Sequence, residues 1–122
     1  MNDNIEVVVT DSYEADLALL PRVDQLRVTR KVDALRSKTW NGALGDRSVA
    51  PLMDGIYEVR VLGRGAAYRL LFFLAPGRSP RAVVLTVCVA KGQMKKRAAL
   101  NAEIARAKAR RQAWLKEQEK NR

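Results

Sequence analysis

Three apolar runs in the second half of the chain limit its architecture more than any other feature. A turn at residues 51–55 opens into Ile-Tyr-Glu-Val-Arg-Val-Leu (56–62), and Gly63-Arg64-Gly65 separates this from residues 67–74. A second turn, 75–80, leads into residues 81–90, which end before Lys91. Runs rich in β-branched and aromatic residues, bounded by Gly and Pro, predict a three-stranded antiparallel meander. The two-residue period puts Tyr57, Val59 and Val61 on one face of the first strand and Ile56, Glu58, Arg60 and Leu62 on the other. In the second strand Tyr68, Leu70, Phe72 and Leu74 share a face, opposite Ala67, Arg69, Leu71 and Phe73. The third run is apolar on both faces, as in a central or covered strand. Arg60 and Arg69 are the unusual members. They are expected side by side on the less buried face with Glu58 next to them, an arrangement that a one-residue slip would destroy.

The rest of the chain supplies helices. Residues 5–10 form a short β-rich run, after which Asp11 or Ser12 can cap a helix carrying Tyr13, Asp16, Leu17 and Leu20 at helical spacings. Pro21 is compatible with a first helical turn, so a second helix is expected from there to about residue 38. Val28, Val32 and Leu35 form its apolar stripe, Val23 and Leu26 point elsewhere, and Arg27, Arg30, Lys31 and Arg36 with Asp24 and Asp33 read as its solvated side. Gly42, Gly45, Pro51 and Gly55 mark residues 39–55 as a loop, pinned to the core by Trp40, Leu44, Val49 and Leu52. Residues 98–119, Ala-rich and free of Gly and Pro, predict a long helix with Leu100, Ile104, Ala107, Arg111, Trp114 and Leu115 down one face. The expected fold class is therefore α+β. A single domain over residues 1–122 would contain an N-terminal strand and helix hairpin, the meander, and a long basic C-terminal helix.

Charge is placed unevenly. Residues 1–90 hold 12 Lys/Arg against 10 Asp/Glu, a net +2, whereas residues 91–122 hold 11 against 3, a net +8. Such a segment favours a polyanion or an acidic partner, although a solvated helix face has the same composition. No apolar run approaches the roughly 20 residues of a membrane helix, and no signal segment is recognisable, so a cytoplasmic location without membrane association is expected. Cys88 is the one cysteine, set in an apolar strand where an inert buried thiol is expected. The chain has no His. This removes Ser-His-Asp and Cys-His catalysis and His-based metal sites. A phosphate loop is missing, Gly63-Arg64-Gly65 lacks the helix start of a dinucleotide turn, and no acidic pair has metal-ligand spacing, so neither metal nor cofactor is expected.

Chemistry in such a chain rests on Arg, Lys, Glu, Tyr or backbone groups. RNA cleavage suits that inventory, because the 2′-hydroxyl is an internal nucleophile that a protein need only align while it neutralises phosphate charge. Glu58, flanked by Arg60, is expected to make a poor base, since positive charge nearby favours its ionised form. The bland alternative is an ordinary ion pair on a half-exposed sheet, which contributes little.

The element order, with three groups of residues, resembles the RelE/ParE toxin superfamily, and within it the HigB-like, phage-associated branch. Leu52-Met53-Asp54-Gly55-Ile56-Tyr57-Glu58-Val59-Arg60 is similar to that branch's Leu-x-x-Gly-Leu-Tyr-Glu-Leu-Arg. Tyr68-Arg69-Leu70-Leu71-Phe72 is similar to its Tyr-Arg-hydrophobic-hydrophobic-aromatic run. Lys91 and the later Arg110, Arg111 and Trp114 are similar to its closing Lys and basic helix. The resemblance implies a small toxin that cleaves mRNA on the ribosome without a cofactor and is neutralised by an antitoxin, a helix-turn-helix protein with an acidic surface. It implies that Arg60, Arg69 and Lys91 contact the scissile phosphate, with Glu58 a weaker candidate. Lys95, Lys96, Arg97 and the helix cations Arg110 and Arg111 would grip ribosomal RNA. The sequence departs from the family pattern at three places. The His or Tyr that many relatives use as acid or base is missing, Val89 and Gly92 replace a Phe and a second Lys, and Ala113-Trp114 replaces Asp-Tyr. Two alternatives share the fold: a non-nucleolytic, ParE-like gyrase poison, and a phage or prophage binding protein.

Overall fold

In the computed structural model, residues 3–77, 81–90 and 97–121 are described. Strand β1 (Glu6–Val9) is followed by helices α1 (Asp11–Ala18), α2 (Arg22–Leu35) and the short α3 (Trp40–Gly45). Strands β2 (Ala50–Met53), β3 (Ile56–Leu62), β4 (Ala67–Leu74) and β5 (Ala82–Ala90) precede helix α4 (Arg97–Lys120). The strands form one five-stranded sheet in the order β1-β5-β4-β3-β2. β1 runs parallel to β5, and the other pairings are antiparallel. The expected meander is thus the centre of a wider sheet, and the α+β class holds.

Residues 39–55, expected to be a loop, contain both α3 and β2. The Thr39 side chain accepts the Gly42 N–H and so caps α3. β2 pairs with β3 across Asp54-Gly55, whose φ values of 54° and 78° are those a tight two-residue hairpin demands. Pro51 is tolerated because β2 is an edge strand. Of the four residues expected to pin this stretch, Val49 is buried while Leu44 is exposed. Trp40 packs edge-on against Tyr57 and Phe72, at centroid distances of 5.2 and 6.2 Å. The cap of α1 is Thr10, not Asp11 or Ser12. Its hydroxyl accepts the Tyr13 N–H and donates to Leu85 O at 2.8 Å, ending β1 and starting α1 in one residue.

The sheet divides two cores. On one side Tyr13 of α1 and Val28, Val32 and Leu35 of α2 cover Val59, Leu70, Phe72, Val83 and Leu85. On the other, Ile104 and Ala107 of α4, with Leu100, Trp114 and Leu115, cover Ile56, Leu71, Phe73, Val84 and Val87. The i, i+4, i+7 spacing of α4 aims its stripe at the sheet, and burying each large aliphatic side chain contributes about 1.5–3 kcal/mol. One irregularity sets the geometry of the second core. Leu71 faces Val87 and Phe72 faces Leu85, so Thr86 bulges from the ladder and reverses the face parity of β5.

Candidate functional site

Arg60 and Arg69 lie directly opposite each other on β3 and β4. Two guanidinium groups in that position repel, and Glu58, two residues along on the same face, offsets them. Its Oε1 accepts from Arg60 Nε at 2.7 Å, and its Oε2 lies 3.2 Å from Arg69 Nε. The register matches expectation, but the surroundings differ. The Arg60 side chain is 61% exposed, whereas those of Arg69 and Glu58 are 11% and 2% exposed, so this is not the less buried face. The same face is the one that α4 covers at Ile56, Leu71 and Phe73. Leu44 and residues 47–51 wall a cleft of about 350 Å³ whose floor is Glu58 and Arg60.

Hydrogen bonding at the triad is incomplete. Arg69 Nε and Nη1 and Glu58 Oε2 have no hydrogen-bond partner among the described residues, because the 3.2 Å approach is a charge contact without an aligned N–H. Leaving such a buried group unpaired costs about 1–3 kcal/mol. Guanidinium groups are planar donors whose fork matches the oxygens of carboxylates and phosphates. Glu58, held between the two, orients them more readily than it moves a proton.

The remaining sequence candidates are scattered. Lys91, Lys95 and Lys96 lie outside the described residues. Arg97 is exposed at the start of α4. Arg110, expected on the RNA-facing side, is turned inward: its Nη1 donates to Asp16 Oδ2 at 2.8 Å and to the bulged Thr86 O at 2.6 Å. Arg111 Nη1 donates to Asp54 O at 2.8 Å, and Lys108 reaches the Asp54 carboxylate at 2.9 Å, a hydrogen bond that lowers the pKa of that carboxyl. Both arginines therefore hold α4 to the sheet. Among the described residues no cluster of His, Cys, Asp or Glu could hold a metal ion, and no helix is long and apolar enough to cross a membrane.

Comparison with known proteins agrees with this architecture. The family model of the phage-derived protein Gp49-like family matches residues 15–112. The chain belongs to that Gp49-like family. A chain of the toxin–antitoxin complex RelBE2 from Mycobacterium tuberculosis superposes with a TM-score of 0.50 at 24% identity, covering 70% of this chain and 88% of that one. The fold is accordingly that of the RelE-like proteins. No curated protein matches.

Two carboxylates of this Gp49-like chain were not among the sequence candidates. Asp16 accepts from Arg106 at 2.7 Å, from Arg110, and from the Cys88 N–H at 3.2 Å. It thereby ties α1, β5 and α4 together and satisfies an N–H beyond the end of the β1 pairing, which stops at Leu85. Asp24, assigned to a solvated face, is 3% exposed; it accepts the Tyr68 hydroxyl and, at 2.8 Å, the Arg64 N–H. The Tyr68 hydrogen bond, followed by that from Arg64, lowers the Asp24 pKa, while burial first and then Asp24 push Tyr68 up to about 12. The turn leaves no room for a side chain at Gly63, where a Cβ would fall 2.6 Å from Tyr68 Cε2 and 2.8 Å from Asp24 Oδ1. A signal for Asp24 was present: it extends the stripe of Val28, Val32 and Leu35 by one turn towards the N-terminus.

Proposed function

We propose that the chain is the toxin of a type II toxin–antitoxin pair, of the HigB-like, phage-associated kind. In this reading it acts in the cytoplasm, cleaves mRNA on the ribosome and is held inactive by a cognate antitoxin. The carrying observation is the Arg60–Glu58–Arg69 triad, in which two buried Arg69 nitrogens have no hydrogen-bond partner among the described residues. The kinship of fold with a chain of a toxin–antitoxin complex supports the biological setting.

In the proposed reaction the 2′-oxygen attacks the adjacent phosphorus. The O2′–P bond forms and the P–O5′ bond breaks, giving a 2′,3′-cyclic phosphate and a free 5′-hydroxyl. One proton leaves the 2′-oxygen and one arrives at the 5′-oxygen. Arg69 and Arg60 would face the non-bridging oxygens, where negative charge grows in the transition state, and Lys91 at the end of β5 would join them. Removing one such preorganised donor typically costs about 10²–10³ in rate. Glu58 would hold both guanidinium groups in place before substrate arrives. Arg97, Lys95 and Lys96 would meet ribosomal RNA.

The test is expression of the chain from a tightly repressed promoter, with primer extension on a translated message. Growth arrest with new 5′ ends inside the coding region is the expected result, and intact message with normal growth sinks the reading. One observation favours a second reading. Glu58 is committed to two arginines and the chain has no His, so the described residues of the triad include no free proton carrier. A non-nucleolytic gyrase poison of the same fold needs none. Trapped gyrase–DNA complexes with intact message would select it.

A further inference from the structure

The wall of the Glu58–Arg60 cleft contains a cation that the sequence candidates did not include. Helix α3 is capped at its end by Asp46, and Arg47 follows in the left-handed region, with φ 62°. Among the described residues the other non-glycine residue of positive φ is Asp54, in the β2–β3 hairpin. The position after a helix end is ordinarily filled by glycine when the backbone is left-handed, since glycine has no Cβ to crowd. Gly45 stands two places earlier and is not in that region. An arginine is therefore held where glycine would close α3 with less strain.

The turn is fixed on both sides of Arg47. Ala43 and Val49 are buried, and the Val49 N–H bonds to Ala43 O at 3.3 Å across it. Asp46 uses both carboxylate oxygens: Oδ1 accepts the Ser48 N–H at 2.8 Å, and Oδ2 accepts from Lys38 Nζ at 2.5 Å. The adjacent carboxylate is thus committed elsewhere. The Arg47 side chain is exposed, lines the cleft with Glu58 and Arg60, and has no ion pair or hydrogen bond among the described residues. The dipole of a six-residue helix gives a cation at its C-terminal end only a small, salt-screened gain. Strain at a rigidly held position, with the side chain over a charged cleft, points to function.

We propose that Arg47 binds the substrate phosphate next to the one taken by Arg60 and Arg69. The inference rests on the proposed function, in taking a ribonucleotide strand as the occupant of the cleft. A volume of about 350 Å³ is at the lower end for ligand sites and suits one nucleotide. Leu44, 37% exposed on the wall, offers an apolar surface to the ribose or base. The Arg47 guanidinium then meets the phosphate on the far side of that nucleotide. Two phosphates gripped on either side of one nucleotide fix the backbone between them, and with it the line along which the 2′-oxygen approaches phosphorus.

The test separates this contact from cleavage. The full chain is titrated against a fluorescent 2′-O-methyl hexaribonucleotide, whose blocked 2′-oxygen cannot attack, and anisotropy reads affinity. Saturable binding is expected. Arg47→Gly should weaken it by about tenfold and reduce the slope of log K against log salt by about 0.7, the share of one single-strand phosphate. Its urea midpoint should hold or rise, because glycine suits the φ of this position. Arg47→Lys should bind within about threefold of the parent, since the charge is kept. The control Arg22→Ala, with the same loss of charge outside the cleft, should bind within about twofold. Absence of saturable binding, an unchanged Arg47→Gly, an equal loss in Arg22→Ala, or a loss that comes with a lowered urea midpoint overturns the proposal. Cleavage is scored separately, by primer extension on a translated message. A parent chain that binds with these effects but cuts nothing supports the phosphate contact and removes the nuclease reading. A parent chain that cuts, while Arg47→Gly binds and cuts equally well, overturns the contact and leaves the nuclease reading standing.

Discussion

Among the described residues two buried carboxylates are each set between two arginines, and they are not equivalent. Asp16 sits between Arg106 and Arg110 and also takes the Cys88 N–H; the Arg110 Nη1 that reaches it also reaches the bulged Thr86 carbonyl. Donors and acceptors there are matched, and the cluster binds three elements into one body. Glu58 sits between Arg60 and Arg69, and the match fails: two Arg69 nitrogens and one Glu58 oxygen lack hydrogen-bond partners among the described residues. The composition is nearly the same, and the difference is whether the donors are used up. A satisfied Arg–carboxylate–Arg group is part of the scaffold. One with unmatched N–H groups is not closed in that way, and this is the feature on which the proposed phosphate contact rests.

The comparison can be broken most sharply at Arg69. Arg69→Ala should lower growth arrest and message cleavage by about 100-fold or more, with far-UV circular dichroism unchanged. Full activity in a folded variant would remove the distinction between the clusters. Asp16→Ala should do the reverse. It leaves Arg106 and Arg110 facing an empty site in the α1–α4 contact, and urea unfolding should show a loss of about 3 kcal/mol. Activity per folded molecule should stay near the parent's. Gly63→Ala is the next largest effect, about 1–3 kcal/mol of destabilisation, because the new methyl group must displace Tyr68 and Asp24.

A pH effect follows at a third carboxylate, Asp24. Its folded pKa lies below its unfolded value of about 3.9. The stability it contributes is therefore present above that value and lost as pH falls through the folded one. Asp24→Asn should flatten that part of the acid limb of the urea midpoint against pH; an unchanged acid limb would show that Asp24 contributes nothing there. The smallest expected effect concerns Cys88. Burial, then the Asp16 charge, pushes its thiol up to about 12. Native protein at pH 8 should react with a thiol reagent far more slowly than urea-unfolded protein, and rapid native labelling would show that the Asp16 cluster opens.

Strands β1, β3, β4 and β5, their order along the chain and the faces of β3 and β4 could be read from residue period and Gly/Pro punctuation alone, because burial leaves that imprint locally. The apolar stripes of α2 and α4 were legible for the same reason, and so was the pairing of Arg60 with Arg69. β2 and α3 were obscured because elements of four and six residues carry too little period to stand out beside Gly42, Gly45 and Pro51; only the Asp54-Gly55 pair hinted at a hairpin. The Thr86 bulge left no trace in a strand that is apolar on both faces.

Charge was the least legible property. Along the chain Asp16, Asp24, Arg106 and Arg110 look like ordinary surface residues, and Glu58 and Arg69 look half exposed. Their partners are fixed by folding: Asp16 meets Arg110 across 94 sequence positions and Tyr68 meets Asp24 across 44. The sequence by itself determined which segments become strands and helices, since that depends on neighbours a few residues away. Only the tertiary structure decided which cations are used up and which keep free donors, since a charge is paired or left open by whatever the rest of the chain brings beside it.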